Sequence, residues 1–527
     1  MQCTCVRQTD LPNTSKIFAD LVYHFDRVSD LYPWAPNNID EIIRASQFDF
    51  PDDRRRQVVE ALAPLNPGSA SLAKLADPGT VAIITGQQVG LFSGPAYTVY
   101  KALTAVRIAS ELRDRGIPAV PMFWLATEDH DFAEIAHAEV FGPDQTPVTL
   151  RATPPDSNAP VPAGEVALRD VPLDGLRAAL GDLPFADDAM ALVENAYGGA
   201  GKTMGSAFAA MVRDLLAPYD LILIDPMTPE LRRIAAPLMR QAVERMPELA
   251  DAVMARSKVL LERGYHAQVL VEKSTSFAFL LENGQRIALR RTPEGGFHAG
   301  NRKWTAAELA ERAAELSPNA LLRPVLQDYL FPTAAYVGGP AELAYLAQSR
   351  PLYDALLGRQ PVAFPRAGFT LVDERAAKRV AKYRLDPPAL MVREDKLRDT
   401  IASRLVPPGL NASLEGTKSA FTAALNRLKS DLEGFDPTLA ASIETSRRKI
   451  EYQVGKIARK TSAQILAKDE QAQRDAAYLS GLVFPHDHLQ ERYYSIVPFL
   501  AKFGPGIVED IYQHVRVECP DHQFAVL

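Results

Sequence analysis

Apolar and polar positions alternate in blocks, and the clearest block runs from residue 81 to residue 137. Val81, Ala82, Ile83 and Ile84 form an apolar run that passes into the polar segment Thr85-Gly86-Gln87-Gln88-Val89-Gly90. A helix is expected to open at Ser93-Gly94-Pro95, since a proline in the first turn gives up no intrahelical bond. Over residues 96–113, Val99, Leu103, Val106 and Ile108 are spaced for burial on one side of that helix. Gly116-Ile117-Pro118 ends it, and residues 120–127 form a second apolar run that stops at Glu128-Asp129-His130-Asp131. Two parallel strands joined by one helix would bring both polar segments to the same edge of a sheet, where open α/β sheets bind ligands.

The same reasoning divides the rest of the chain. In residues 11–77, Ile17, Leu21, Val22 and Phe25, then Val58, Val59 and Leu62, predict helices kept short by Pro33, Pro36, Pro64, Pro67 and Pro78. Residues 141–195 carry Pro143, Pro147, Pro154, Pro155, Pro160 and Pro162 and one short strand at 148–151, and so read as an insertion. Regular α/β text resumes with a helix over 203–216, a strand at 221–224 and a long helix over 229–264. The period then changes to two at 268–272, 276–281 and 286–291, which predicts a small antiparallel sheet turning at Glu282-Asn283-Gly284-Gln285, a second insertion. The parent sheet returns with Ala334-Ala335-Tyr336-Val337, with Gly338-Gly339-Pro340 opening a helix, and again at 361–364.

Beyond Asp373 strand signals nearly vanish. Phe421, Leu425, Leu428, Leu432 and Phe435 form a heptad seam, and Leu439, Ile443, Ile450, Val454 and Ile457 continue a related one past Pro437, flanked by basic residues. Two antiparallel helices in a projecting coiled coil are expected, with residues 493–503 returning to the core. The expected organisation is α/β: a core built from 1–140, 203–265 and 331–376, insertions at 141–202 and 266–330, a helical coiled coil at 377–482, and a C-terminal return at 483–527.

Composition narrows the partners. With 527 residues, 47% hydrophobic and 23% charged, the chain is an ordinary globular protein of several domain-sized pieces. A net charge of -7 gives no general attraction for nucleic acid or an anionic membrane, so neither is expected, and an anionic ligand must be held by a local site. The start lacks the basic and apolar segments of a secretory signal and no run of about 18 apolar residues occurs, so a cytoplasmic protein is expected. Three cysteines, Cys3 and Cys5 at a terminus expected to be loose and Cys519, are too few for a disulfide framework or a cysteine-rich structural zinc site.

Five segments invite a chemical reading. Ala196-Tyr197-Gly198-Gly199-Ala200-Gly201-Lys202-Thr203 fits a relaxed phosphate-loop pattern, but amphipathic helix precedes it where a phosphate loop needs a buried strand, so a turn between helices is expected. In the segment from Gly86 to Pro95, and in Gly338-Gly339-Pro340, glycine and a helix start offer backbone N–H groups to an anion, with Gln87 and Gln88 as neutral donors; tight capped turns are the plain alternative. Glu128, Asp129, His130 and Asp131 suit acid–base work or Mg²⁺, or else an acidic helix cap. Were the next segment helical, His130, Glu134 and His137 would share a face fit for a transition metal. Arg366, after a strand, either clamps a carboxylate or phosphate or sits in a structural ion pair.

Four of these stretches, in order, resemble the family of the bacillithiol biosynthesis cysteine-adding enzyme, BshC. They are Thr85-Gly86-Gln87-Gln88-Val89-Gly90-Leu91-Phe92-Ser93-Gly94-Pro95-Ala96-Tyr97-Thr98, Phe123-Trp124-Leu125-Ala126-Thr127-Glu128-Asp129-His130-Asp131-Phe132, Tyr336-Val337-Gly338-Gly339-Pro340-Ala341-Glu342, and Pro365-Arg366 with Phe369-Thr370. The resemblance spans essentially the whole chain. It implies a Rossmann-like parallel-sheet core with two connecting-peptide insertions, and a coiled coil that forms a homodimer. It also implies the joining of cysteine to glucosaminyl-malate in the last step of making bacillithiol. The sequence departs from the family at Gly368, where serine is common; Thr370 remains as a hydroxyl.

On that footing cysteine's carboxylate needs activation, by ATP as an acyl phosphate or acyl adenylate, so ATP (or ADP) is the expected nucleotide, with Mg²⁺ beside it. Gly86, Gln87, Gln88, Gly94, Tyr97, Asp131, Gly338, Gly339, Glu342, Arg366 and Thr370 are expected to contact substrate or anionic groups. His130 is expected to take the amine's proton, with Asp129 or Glu128 orienting it or binding Mg²⁺. Two other classes stay open: a metal-dependent hydrolase using His130, Asp131 and His137, and a nucleotide-binding scaffold whose coiled coil is the working surface.

Overall fold

The strand Val81–Gln88 is buried on both faces from Val81 through Gly86, as the centre of a parallel sheet must be. A computed structural model describes residues 1–153 and 160–527; Pro154 and Pro155 of the first insertion lie outside the described residues, as does the side chain of Phe435. Val81–Gln88 pairs in parallel with Ala119–Ala126 on one side and Thr333–Gly338 on the other. Val362–Pro365 and Ile222–Ile224 extend the two edges, also in parallel. Taken by chain position, the spatial order is fifth, fourth, first, second, third, the order of a Rossmann sheet. The connections leave the first strand in opposite directions, and its carboxyl end, beside that of Thr333–Gly338, therefore opens into a crevice.

Pleating sends alternate residues to two cores. Val81, Ile83, Val337 and Phe364 share an apolar cluster with Ala105, Ile108 and Leu112 of the helix Tyr97–Asp114. Ala82, Ile84, Met122 and Ile224 share another with Leu238, Leu249 and Leu346, carried by helices Pro229–Glu244, Met246–Glu262 and Pro340–Leu356. Each fully buried Ile or Leu contributes about 1.5–3 kcal/mol, so covering both faces is what holds the strand ends rigid.

Several local expectations shift. The helix after the first strand begins at Tyr97 rather than Pro95, because the returning C-terminal segment takes the preceding backbone: Pro95 bridges Ser495, and the Ala96 N–H donates to the Tyr494 carbonyl at 2.7 Å. The expected single helix over 229–264 is two, Pro229–Glu244 and Met246–Glu262, parted at Arg245 where Pro247 has no N–H to continue the ladder. Residues 268–272 form no strand; a side chain, Gln348, takes both backbone groups of Val269, at 3.1 and 2.6 Å.

The second insertion does form an antiparallel sheet. Thr275–Glu282 and Gln285–Arg291 turn at Asn283 and Gly284, both with positive φ as this hairpin type requires, and Phe297–Ala299, Arg302–Trp304 and Leu316–Pro318 complete it. In the first insertion Pro147–Arg151 pairs with His137–Phe141. The N-terminus is not loose: Gln2–Val6 pairs antiparallel with His522–Val526, which pairs in parallel with Phe369–Val372. The helices Pro408–Phe435 and Pro437–Ala467 fold back on each other, with Arg447 donating to Asn426, and leave Phe421, Leu428, Leu439 and Ile457 exposed. Among the described residues no helix is long and apolar enough to cross a membrane.

Candidate active site

At the crevice between the first and fourth strands lies a cavity of about 460 Å³, with Trp124 and Tyr336 in its lining. One wall is built on Lys101, whose side chain is only 2% exposed. Its ammonium lies 2.5 Å from Glu342 Oε2 and donates to the Gly86 carbonyl at 3.0 Å and to Gln87 Oε1 at 2.9 Å. Gln87 Nε2 in turn donates to the Tyr97 hydroxyl at 3.1 Å. Glu342 accepts from the Gly339 N–H and from the Tyr336 hydroxyl, each at 2.7 Å. Burial pushes the Lys101 ammonium below its ordinary range against the pull of Glu342. Burial pushes the Glu342 carboxyl up, but Lys101, Gly339 and Tyr336 outweigh it and hold the carboxyl below its ordinary value.

The facing wall follows the strand Ala119–Ala126. Glu128 is 5% exposed and its Oε2 accepts from Ser317 Oγ at 3.0 Å. Asp129 accepts from the His130 N–H and from Gln88 Nε2, both at 2.8 Å. Arg286, from the second insertion's hairpin, reaches across: Nε donates to Ser317 Oγ at 3.1 Å, Nη2 to the Pro318 carbonyl at 2.8 Å, and Nη1 lies 3.2 Å from His130 Nδ1. Its guanidinium stacks 3.8 Å above the Phe279 ring. Burial lifts the Glu128 carboxyl above its ordinary value, partly offset by Arg286 and Ser317. Burial and then Arg286 lower the His130 imidazole, outweighing Asp129 and Asp131.

Two further guanidiniums complete the lining. Arg323 donates to the Tyr336 and Tyr345 hydroxyls at 3.2 and 3.0 Å. No carboxylate among the described residues lies within ion-pairing distance of it, although it is well enclosed. Arg492 is exposed, beside the Tyr97 ring at 5.7 Å, and has no ion pair among the described residues. A ligand entering here meets positive charge that the protein has not neutralised, together with a buried carboxyl and a neutral imidazole.

Residues 1–367 match the family model described as bacillithiol biosynthesis BshC, N-terminal Rossmann-like domain, and residues 369–527 match bacillithiol biosynthesis BshC, C-terminal coiled-coil domain. The chain belongs to the BshC family. It is 49% identical over its whole length, and the whole length of the relative, to a protein of Solibacter usitatus named "Putative cysteine ligase BshC". Relatives bearing the same name from Koribacter versatilis, 34% identical with 98% of each chain covered, and Salinibacter ruber, 32% identical with 96% of this chain and 95% of that one covered, extend the match.

In this BshC member the cavity gathers Gly86, Gln87, Gln88, Tyr97, Glu128, Asp129, His130, Gly339, Glu342 and Arg366 from four separate stretches of sequence. Others lie elsewhere. Gly94 lines a neighbouring hollow beside Pro95, Gly338 lines a second cavity behind Arg366, and Thr370 is buried with its hydroxyl 2.8 Å from His522 Nε2. Asp131 caps the short helix Phe132–Ile135, accepting from the Glu134 N–H at 3.2 Å, the plain alternative for that residue. Gly86 lies within the strand, where a Cβ would sit 2.7 Å from the Trp124 carbonyl oxygen; the glycine allows two strands to approach and does not form a loop of free N–H groups. The Gly339 N–H is taken by Glu342. Arg366 is held by Glu491 in a buried two-pronged ion pair, at 2.9 and 2.6 Å, so it is not a free clamp.

The helical face proposed for His130, Glu134 and His137 does not form. The helix is one turn long, His137 opens the strand His137–Phe141, and its Nδ1 faces the Ala133 carbonyl at 3.3 Å. Among the described residues no group of three or more His, Cys, Asp or Glu side chains is placed to hold a metal. The segment Ala196 to Thr203 is a turn between helices Ala186–Tyr197 and Met204–Leu215, as the lack of a preceding strand predicts.

Pattern reasoning missed Lys101, Arg286, Arg323, Tyr345 and Arg492. Only Lys101 left a signal: a lysine one helical turn after Tyr97, the one charged residue between Tyr97 and Val106. The others sit on ordinary surface-like text, and tertiary folding alone gathers them around the cavity.

Proposed function

We propose that this protein joins the carboxylate of cysteine to the amine of glucosaminyl-malate, the last step of bacillithiol biosynthesis, with ATP consumed to activate the carboxylate. The observation that carries the reading is Arg323, an enclosed guanidinium with no carboxylate partner among the described residues, in a cavity that also holds a buried carboxyl group. Glucosaminyl-malate brings two carboxylates and one amine, the complement of that lining. The names of the relatives support cysteine as the second substrate.

In the joining step the amine nitrogen bonds to the activated carbonyl carbon, the carbon–oxygen bond to the phosphoryl group breaks, and the oxygen leaves with its electron pair. The nitrogen's proton passes to a carboxylate of the cavity. An acyl phosphate would release ADP at activation and an acyl adenylate pyrophosphate, with AMP leaving at the joining step. Mg²⁺ would accompany the nucleotide as its counter-ion. The exposed seam residues Phe421, Leu428, Leu439 and Ile457 support a homodimer through the coiled coil. A cytoplasmic site of action goes with substrates that are cytoplasmic metabolites.

The test is incubation of the pure protein with cysteine, glucosaminyl-malate and ATP, with mass detection of the thiol product and of ADP against AMP. Arg323→Met removes a charge-assisted contact of about 1.5–3 kcal/mol and should raise KM for glucosaminyl-malate roughly ten- to a hundredfold, leaving KM for cysteine little changed. Absence of any thiol product, even with cell extract added, would overturn the assignment.

A further inference from the structure

We infer that Arg286 acts as a positioning residue that fixes His130 as the tautomer protonated on Nε2, so that His130 serves the cavity as a hydrogen-bond donor and Glu128 is the carboxylate that takes the amine's proton.

Arginine has donors only and is never deprotonated in proteins, so the 3.2 Å approach of Arg286 Nη1 to His130 Nδ1 is a hydrogen bond only if Nδ1 offers its lone pair. The neutral ring must then carry its proton on Nε2. An imidazolium would set N–H against N–H at that distance. Arg286 cannot readily turn aside, because its other nitrogens are bound to Ser317 Oγ and the Pro318 carbonyl and its face is stacked on Phe279, whose ring also meets the edge of His130. The groups facing His130 are Arg286 from the hairpin and Asp129 and Asp131 from its own segment; burial and Arg286 prevail, favouring the neutral ring.

With the imidazole lone pair engaged, the proton acceptor must lie elsewhere. Asp129 is committed: one oxygen accepts the His130 N–H and lies 3.7 Å from Arg286, the other accepts Gln88 Nε2. Glu128 uses only Oε2, toward Ser317; its Oε1 has no hydrogen bond among the described residues, and the residue lines the cavity. Ser317 joins the two roles, since its hydroxyl receives Arg286 Nε and donates to Glu128. The second insertion thus completes the acid–base wall of the core, by supplying Arg286, Ser317 and Phe279.

The tautomer is a property of the free protein; the role of Glu128 rests on the amide-forming reading above. Long-range ¹H–¹⁵N correlation spectra of the full-length protein labelled at its nine histidines, with the His130 signals identified by their loss in His130→Gln, test the first half. A protonated Nε2 and an unprotonated Nδ1 are expected near neutral pH. In Arg286→Gln, which removes the cation, the tautomers should mix and the imidazole should titrate at higher pH, and Arg286→Met, if it folds, should do the same. Protonation on Nδ1, or a spectrum unmoved by both variants, overturns the inference. For the second half, Glu128→Gln should lower kcat by roughly two to four decades, whereas His130→Gln, which keeps a donor, should lose less. The reverse ranking overturns the role of Glu128. A wild-type protein that makes no product would instead count against the amide-forming reading, and the spectra would still decide the tautomer.

Discussion

Replacing Glu342 by Gln removes the only carboxylate within ion-pairing reach of Lys101 among the described residues while keeping an oxygen to accept the Gly339 N–H. Lys101 is left 2% exposed, next to the Gly86 carbonyl and the Gln87 amide, with Arg366 and Arg323 opposing its charge. Breaking a buried ion pair from one side costs about 3–5 kcal/mol; the Glu342 side chain keeps 23% exposure, which places the loss near the lower end, about 3 kcal/mol.

The variant should also acquire a pH signature. Lys101 is then neutral in the fold but charged in the unfolded chain, so the unfolded state binds one more proton and stability rises as pH rises toward about 10. The slope approaches 1.4 kcal/mol per unit, roughly, once the native amine has lost its proton. The wild-type protein should have the same sign over a narrower window, because Glu342 favours the charged ammonium. The assay is the first urea transition, followed by tryptophan fluorescence at about pH 7 and about pH 9.5. Lys101→Met combined with Glu342→Gln leaves no uncompensated charge and should recover much of the loss. A single variant within about 1 kcal/mol of wild type and without the pH slope would mean that no buried charged pair exists here.

Gly86→Ala should lower stability by about 1–3 kcal/mol in a thermal melt, because its Cβ would lie 2.7 Å from the Trp124 carbonyl oxygen and 2.8 Å from Trp124 Cβ; an unchanged Tm would show that the two strands part freely. Burial holds the His522 imidazole below its ordinary value, with Arg366 adding to the effect against Glu491. The unfolded chain then binds more protons as pH falls below about 6.5, so stability should drop by up to about 1.4 kcal/mol per unit there, and His522→Gln should remove that part of the acid sensitivity. Gly368→Ala, whose Cβ would lie 2.6 Å from the unpartnered His522 Nδ1, should destabilise the same sheet in urea. Phe421→Asp with Leu428→Asp, at positions 45% and 46% exposed, should convert a dimer to a monomer in sedimentation without moving the melt of the core; a dimer that persists would relocate the interface.

The sequence alone determined whatever rests on short-range period. The apolar runs at 81–84 and 120–127 and the helix between them, the hairpin at Asn283-Gly284, and the helical C-terminal third are all legible, because each is specified by neighbours within a turn or a pleat. The glycine and acidic segments at the strand ends were legible as a shared edge for the same reason. Tertiary structure decided who meets whom. The 3-2-1-4-5 order sets Gln87 against Glu342 and Arg366 from residues hundreds of positions away. Glu491 claims Arg366, and the hairpin delivers Arg286 to His130. Strand pairing ties Gln2–Val6 to His522–Val526. None of these partners is encoded by spacing, since an arginine reads alike on a surface and over an active site. Charge compensation across the closed fold distinguishes Arg323, left without a carboxylate partner among the described residues, from Arg366, which is paired with Glu491.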